Sequence, residues 1–186
     1  MSYLEKKEYK IITENSFEII HPCSGCSDKE SFINTYRFRV NANGNKLDVW
    51  LIYQCKKCKH TLNIPIYERI SPAKIDSEEY KQFLENNHEL AEKYGTDVTF
   101  LKSRKLDVDV QNGSFSILDN DTVMTEKIGY QSGMSVTVQN ETSIKFKNEK
   151  IVSMIFDISR SKAKKMIDNN ELIVNQNNQY YELIFM

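Results

Sequence analysis

The chain of 186 residues holds four cysteines, and all four fall into two pairs of identical spacing, Cys23-x-x-Cys26 and Cys55-x-x-Cys58. A Cys-x-x-Cys bend aims two sulfurs at one point, and two such bends complete a tetrahedron of thiolates at the bond lengths zinc prefers. The spacing therefore predicts one Zn2+ held by Cys23, Cys26, Cys55 and Cys58. Four thiolates fill the coordination shell and leave no open position for water or substrate, so the predicted role is structural. Lys56, Lys57 and Lys59 would offset the negative charge of such a centre. Two disulfides, or four unconnected core cysteines, are the competing readings. His21 and His60 each stand two residues outside a cysteine and could replace one. Charge precedes any apolar stretch at the N-terminus, which does not read as a secretory signal. The longest apolar run, Val49 to Tyr53, is far too short to span a membrane. The expected compartment is cytoplasmic, where reduced cysteine pairs more often bind metal than cross-link.

The residues between the two pairs can bring them together. Thr35 to Val40 alternates apolar and basic residues, and Leu47 to Tyr53 alternates again. Asn41-Ala42-Asn43-Gly44-Asn45 between them is a turn signal, so a β-hairpin is predicted. Asp48, inside the second run, is expected to bond to the nearby turn. A break at Ser71-Pro72 precedes a helical pattern from Ser77 to Tyr94, with Tyr80, Phe83, Leu84, Ala91 and Tyr94 on one stripe. Asn86-Asn87 interrupts it, suggesting two helices with Asn87 capping the second and Gly95 as the C′ residue. From Leu106 to Phe146, short runs stepping by two predict a small antiparallel sheet. The tail reads helix, helix, strand, strand. The expected fold is α+β: an N-terminal zinc-ribbon hairpin (1–70), a helical connector (71–105), then the small sheet with the tail module (106–186).

Charge is unevenly spread behind a net value of −1. Residues 29–59 carry an excess of five positive charges and residues 145–168 an excess of four, while residues 68–97 carry four in excess of the opposite sign. Such asymmetry speaks to partners rather than fold. In the tail, Ser159 is a good N-cap, and Ala163, Met166 and Ile167 share one face of the helix that follows. Arg160 and Lys164 flank that face; Lys162 and Lys165 lie opposite it. Ser159-Arg160-Ser161-x-Ala163-x-x-x-Ile167 followed by Leu172-Ile173-Val174-Asn175 resembles the small RNA-binding module named for a small-subunit ribosomal protein and shared with pseudouridine synthases and tyrosyl-tRNA synthetases. The likeness covers about 30 residues. It departs from the pattern at Asn148-Glu149-Lys150, where the module has Arg-Leu-Asp, and at Asn170-Glu171, where a glycine is missing. It implies an RNA partner contacted by Arg160, Lys162, Lys164 and Lys165.

Phe38-Arg39-Val40-Asn41-Ala42-Asn43, followed by Leu47-Asp48-Val49-Trp50-Leu51-Ile52-Tyr53-x-Cys55-x-x-Cys58, resembles an uncharacterised bacterial family, DUF1062-like. That resemblance names no activity. The chain lacks a phosphate-cradling glycine loop, a nucleophile elbow and any histidine–carboxylate spacing suited to acid–base work. The expectation is a non-enzymatic, RNA-binding protein with a structural zinc, ribosome- or tRNA-associated. The alternative is a protein-interaction or regulatory module built on the same zinc.

Overall fold

The computed structural model describes residues 6–186, so the first five residues, used above for their charge, lie outside it. The fold is α+β, with two sheets and five α-helices among the described residues. It divides into two compact units. One is continuous, Asn15–Gly113; the other joins Met1–Glu14 to Ser114–Met186.

The continuous unit is built on five strands: β2 (Ile19–Pro22), β3 (Lys29–Asn43), β4 (Lys46–Cys55), β5 (Thr61–Ile70) and β6 (Asp107–Val108). Their order is β5-β4-β3-β2-β6, and every pairing is antiparallel. The β3–β4 hairpin turns at Gly44-Asn45 with Gly44 at φ +58°, the conformation its missing Cβ permits. Along β4, Leu47, Val49, Leu51, Tyr53 and Cys55 are buried while Asp48, Trp50, Ile52 and Gln54 are half-buried, as the sequence alternation requires. Asp48 bonds elsewhere than expected. Its carboxylate accepts the N–H of Arg69 at 2.7 Å, on the neighbouring strand where the β4–β5 register slips, not a group in the hairpin turn.

Three helices, α1 (Ser77–Glu85), α2 (His88–Thr96) and α3 (Val98–Ser103), belong to this same unit rather than to a separate connector. Asp76, Asn87 and Asp97 cap them through side-chain oxygens. The break between α1 and α2 is Asn86 in the left-handed region, its Oδ1 accepting the Phe38 N–H at 2.7 Å. Phe83, Leu90, Ala91, Val98 and Leu101 are buried, and Phe83 meets Phe38 edge-on at 4.9 Å. Leu84, expected on the buried stripe, is 55% exposed; Phe83 is the residue that α1 buries. Gly95 is not a helix-ending residue either. It lies inside α2, buried, where a Cβ would meet the Asn34 amide nitrogen at 2.6 Å.

The second unit holds β1 (Lys6–Thr13), β7 (Phe115–Asp119), β8 (Thr122–Val123), β9 (Ser135–Asn140), β10 (Leu172–Asn177) and β11 (Tyr180–Phe185), ordered β10-β11-β9-β1-β7-β8. This sheet is mixed, not antiparallel throughout, because β1 runs parallel to β9. Val108 is not part of it but pairs with Ile19 in the other sheet, and Ile144 to Phe146 forms no strand. Helices α4 (Asn148–Ile155) and α5 (Arg160–Asp168) precede the β10–β11 hairpin, giving the helix-helix-strand-strand order read from the tail. Ile151, Val152, Ile155, Ala163 and Met166 share one core with Tyr9, Ile11, Val136, Val138, Leu183 and Phe185. The expected boundaries at residues 70 and 105 therefore do not mark the compact units, whose joints fall at 14/15 and 113/114.

Candidate metal centre

The first cysteine pair sits in the loop from β2 to β3; the second spans the end of β4, at Cys55, and the loop to β5, at Cys58. The two loops share a pair of backbone bonds. The N–H of Ser27 donates to the Cys23 carbonyl at 2.8 Å, and the N–H of Lys59 donates to the Cys55 carbonyl at 3.1 Å. The Cys23 N–H reaches the Asp28 carbonyl at 2.8 Å, and the Cys55 N–H reaches the His60 carbonyl at 2.9 Å. Ser27 and Lys59 both adopt left-handed backbone, at φ 63° and 64°. Each loop is thus a tight bend closed by its own backbone bonds.

The bends face each other because β2 and β4 are the two strands that pair with β3 on either side. The Sγ of Cys23 lies 3.4 Å from that of Cys58, and the Sγ of Cys26 lies 3.9 Å from that of Cys55. All four sulfurs lie within 4.8 Å of one another. Bonds of about 2.3 Å from a central ion imply sulfur–sulfur edges of about 3.8 Å for a regular tetrahedron. The group can therefore hold a metal ion with little movement. No sulfur is disulfide-bonded. Gly25 makes the approach possible, since a Cβ there would sit 2.9 Å from the Cys58 sulfur.

Electrostatics oppose leaving this cluster without a cation. Burial, then the neighbouring Cys58 sulfur, raises the Cys23 thiol. The Cys58 sulfur followed by burial pushes Cys26 up to about 12. Cys55 goes the other way, down to about 7, because the backbone N–H groups of Cys58 and Lys57 point at its sulfur. One thiolate is welcome and further ones repel it, which is the condition a divalent cation relieves. Of the three lysines expected to balance the charge, Lys57 pairs with Glu30 at 3.1 Å and Lys56 with Glu18 at 2.9 Å. The histidines stay outside the cluster: His60 Nε2 is 2.8 Å from Ser24 Oγ, and His21 Nδ1 is 2.8 Å from the Pro22 carbonyl.

The basic residues read from the tail all lie on α5 and are all exposed. Ser159 caps the helix, its Oγ accepting the Lys162 N–H at 3.2 Å. Arg160 lies 3.7 Å from Glu149, and the Lys162 ammonium sits 5.3 Å from the Tyr130 ring centroid. Lys164 and Lys165 have no ion-pair partner among the described residues. These contacts of Arg160 and Lys162 were not visible in the sequence, since Glu149 lies on the preceding helix and Tyr130 on a loop about thirty residues away.

A family model described as a protein of unknown function, DUF1062, matches residues 40–178, about three quarters of the chain. The chain belongs to the DUF1062 family. The DUF1062 match takes in Cys55 and Cys58 and starts after Cys23 and Cys26, so the metal centre draws one of its two bends from outside the matched stretch. No curated protein and no solved structure matches the chain. Among the described residues, no helix is long and apolar enough to cross a membrane.

Proposed function

We propose that this DUF1062 protein is a non-enzymatic, cytoplasmic RNA-binding protein whose N-terminal sheet is held together by one structural zinc ion. The observation that carries the zinc reading is the sulfur geometry: four thiols, no oxygen or nitrogen donor, and edges near those of a zinc tetrahedron. The ion would clamp the β2–β3 and β4–β5 loops together and supply no chemistry beyond that. One zinc per chain is expected by elemental analysis of protein prepared without added metal. Cys55→Ser should lose it and destabilise the sheet, because metal binding and folding are coupled in such sites. Retention of both metal and thermal stability in that variant would remove the assignment.

RNA binding is supported by the exposed basic side of α5, by the helix-helix-strand-strand order around it, and by the tail's resemblance to the ribosomal-type module. Lys164 and Lys165, without ion pairs among the described residues, are the residues most available to phosphates. Each phosphate contact on single-stranded nucleic acid contributes about −0.7 to the slope of log affinity against log salt. Lys164→Ala/Lys165→Ala should therefore flatten that slope by roughly 1 to 1.5 in titrations against structured RNA. A shared slope, or no binding by the wild type at low salt, would make α5 a structural cap. The protein would then be read as a protein-interaction module.

A further inference from the structure

Helices α1 and α2 pack against one side of the five-stranded sheet. Phe38 on β3 and Val49, Leu51 and Tyr53 on β4 point into the side packed by α1 and α2. Strand alternation sends their neighbours to the other side, where Arg37 pairs with Ile52 and Arg39 with Trp50 across the ladder, and Trp50 in turn with Pro65 on β5. Arg37 and Arg39 are exposed, and Trp50, Ile52 and Pro65 are half-buried. The Arg39 guanidinium carbon stands 5.9 Å from the Trp50 ring centroid.

The basic groups at the centre of this face stand apart from its carboxylates. Neither Arg37 nor Arg39 has an ion-pair partner among the described residues. Of the two carboxylates at the Asn41 end of this ladder, Asp48, opposite Asn41, accepts the Arg69 N–H, and Glu68 stands exposed on β5. Glu18, toward β2, is held by the Ser31 hydroxyl and Lys56. Burial alone would raise the Glu18 carboxyl, but those two hydrogen bonds outweigh it and keep it ionised and occupied. An indole with one guanidinium over its ring and a second on the same strand face, neither ion-paired among the described residues, offers stacking and phosphate neutralisation side by side, the pairing that single-stranded nucleic acid uses.

We propose that the outer face of β3, β4 and β5, centred on Trp50 with Arg37 and Arg39, binds unpaired bases of single-stranded RNA. This deepens the RNA-binding reading above and rests on it, but it places a contact on a different sheet from α5. Trp50, half-buried on this face, stacks a base, while Arg37 and Arg39 meet the flanking phosphates. The charge excess of residues 29–59 draws the strand in, and the side chains at Ile52 and Pro65 keep the platform dry at its edge.

The chain has a single tryptophan, so its fluorescence reports this face directly. The experiment titrates fluorescein-labelled oligouridylate into metal-replete full-length protein, reading anisotropy for binding anywhere and tryptophan quenching for stacking at Trp50. Saturable binding with quenching is expected. Trp50→Leu should weaken binding about 5- to 100-fold, the range for losing one base–aromatic stack. Trp50→Phe should recover part of that loss, and Lys164→Ala/Lys165→Ala should leave the quenching in place. Metal content and far-UV circular dichroism identify any variant that fails to fold. Arg37→Ala/Arg39→Ala, both exposed positions, then carries the test. Binding without quenching, undiminished in Trp50→Leu, would overturn this proposal and leave RNA binding through α5 standing. Absence of binding to single-stranded and structured RNA alike would overturn both. Equal quenching by polyglutamate would identify the face as a dock for acidic protein segments, and the RNA assignment would fall.

Discussion

Replacing Gly95 by Ala reverses the usual sign of a helix substitution. In an exposed helix interior the change gains about 1 kcal/mol, because alanine loses less backbone entropy on folding. Gly95 is not exposed. Its missing Cβ leaves room for Ser16 and Asn34, and an added methyl would meet Ser16 Oγ, the Asn34 amide nitrogen at 2.6 Å and Ser16 Cβ at 2.6 Å. Overpacking of this kind costs about 1–3 kcal/mol. It also threatens the bonds that Asn34 makes while buried: Nδ2 to Ser16 Oγ at 2.8 Å and to the Ala91 carbonyl at 3.0 Å, with Oδ1 accepting the Tyr36 N–H. Leaving one such donor unmet costs about 1–3 kcal/mol more. The net expectation is a loss of about 1–5 kcal/mol, the helix gain already subtracted. Urea unfolding followed by Trp50 fluorescence reads this unit alone, and the midpoint should fall by roughly 0.5 M or more. Adding Ser16→Gly opens the space again and should recover part of the loss, a non-additivity expected of residues in contact. A midpoint unchanged or raised in Gly95→Ala would refute the close-approach reasoning.

Gly25→Ala should leave the sheet folded yet weaken zinc binding on the order of tenfold or more, the scale of changes that reorient metal ligands, because its Cβ crowds the Cys58 sulfur; competition with a chromophoric chelator measures it. Acidification should weaken zinc binding too. The Cys23 and Cys26 thiols are both raised, hence protonated at neutral pH, so binding must displace at least two protons and affinity should fall at least about 100-fold per pH unit lost near neutrality. A pH-independent affinity in the same chelator assay would contradict that. Limited proteolysis should cut at 111–114, where exposed Gln111 and Asn112 precede the joint between units, before it cuts at 68–76 inside the continuous unit; mass spectrometry of the first fragments decides.

Local signals determined much of this protein. The two Cys-x-x-Cys bends, the Gly44 turn, the alternation along β4 and the caps at Asn87 and Ser159 each depend on residues a few positions apart, so spacing and side-chain chemistry were enough to read them. Tertiary structure decided whatever joins distant segments. Only folding shows that β1 lies between β7 and β9, which ties the first strand to the last seventy residues and moves the unit joints to 14/15 and 113/114. Only folding shows Ser16 and Asn34 closing over Gly95, so the same glycine that reads as a helix stop is in fact a contact point. The slip between β4 and β5 likewise hands Asp48 to Arg69. The metal centre straddles both kinds of information. Its ligands are legible because each pair is local, whereas their convergence on one point depends on β2 and β4 pairing with opposite edges of β3. Periodicity constrains which face of a strand is buried; it carries no term for which strand lies alongside, and that choice belongs to the packing of the whole sheet.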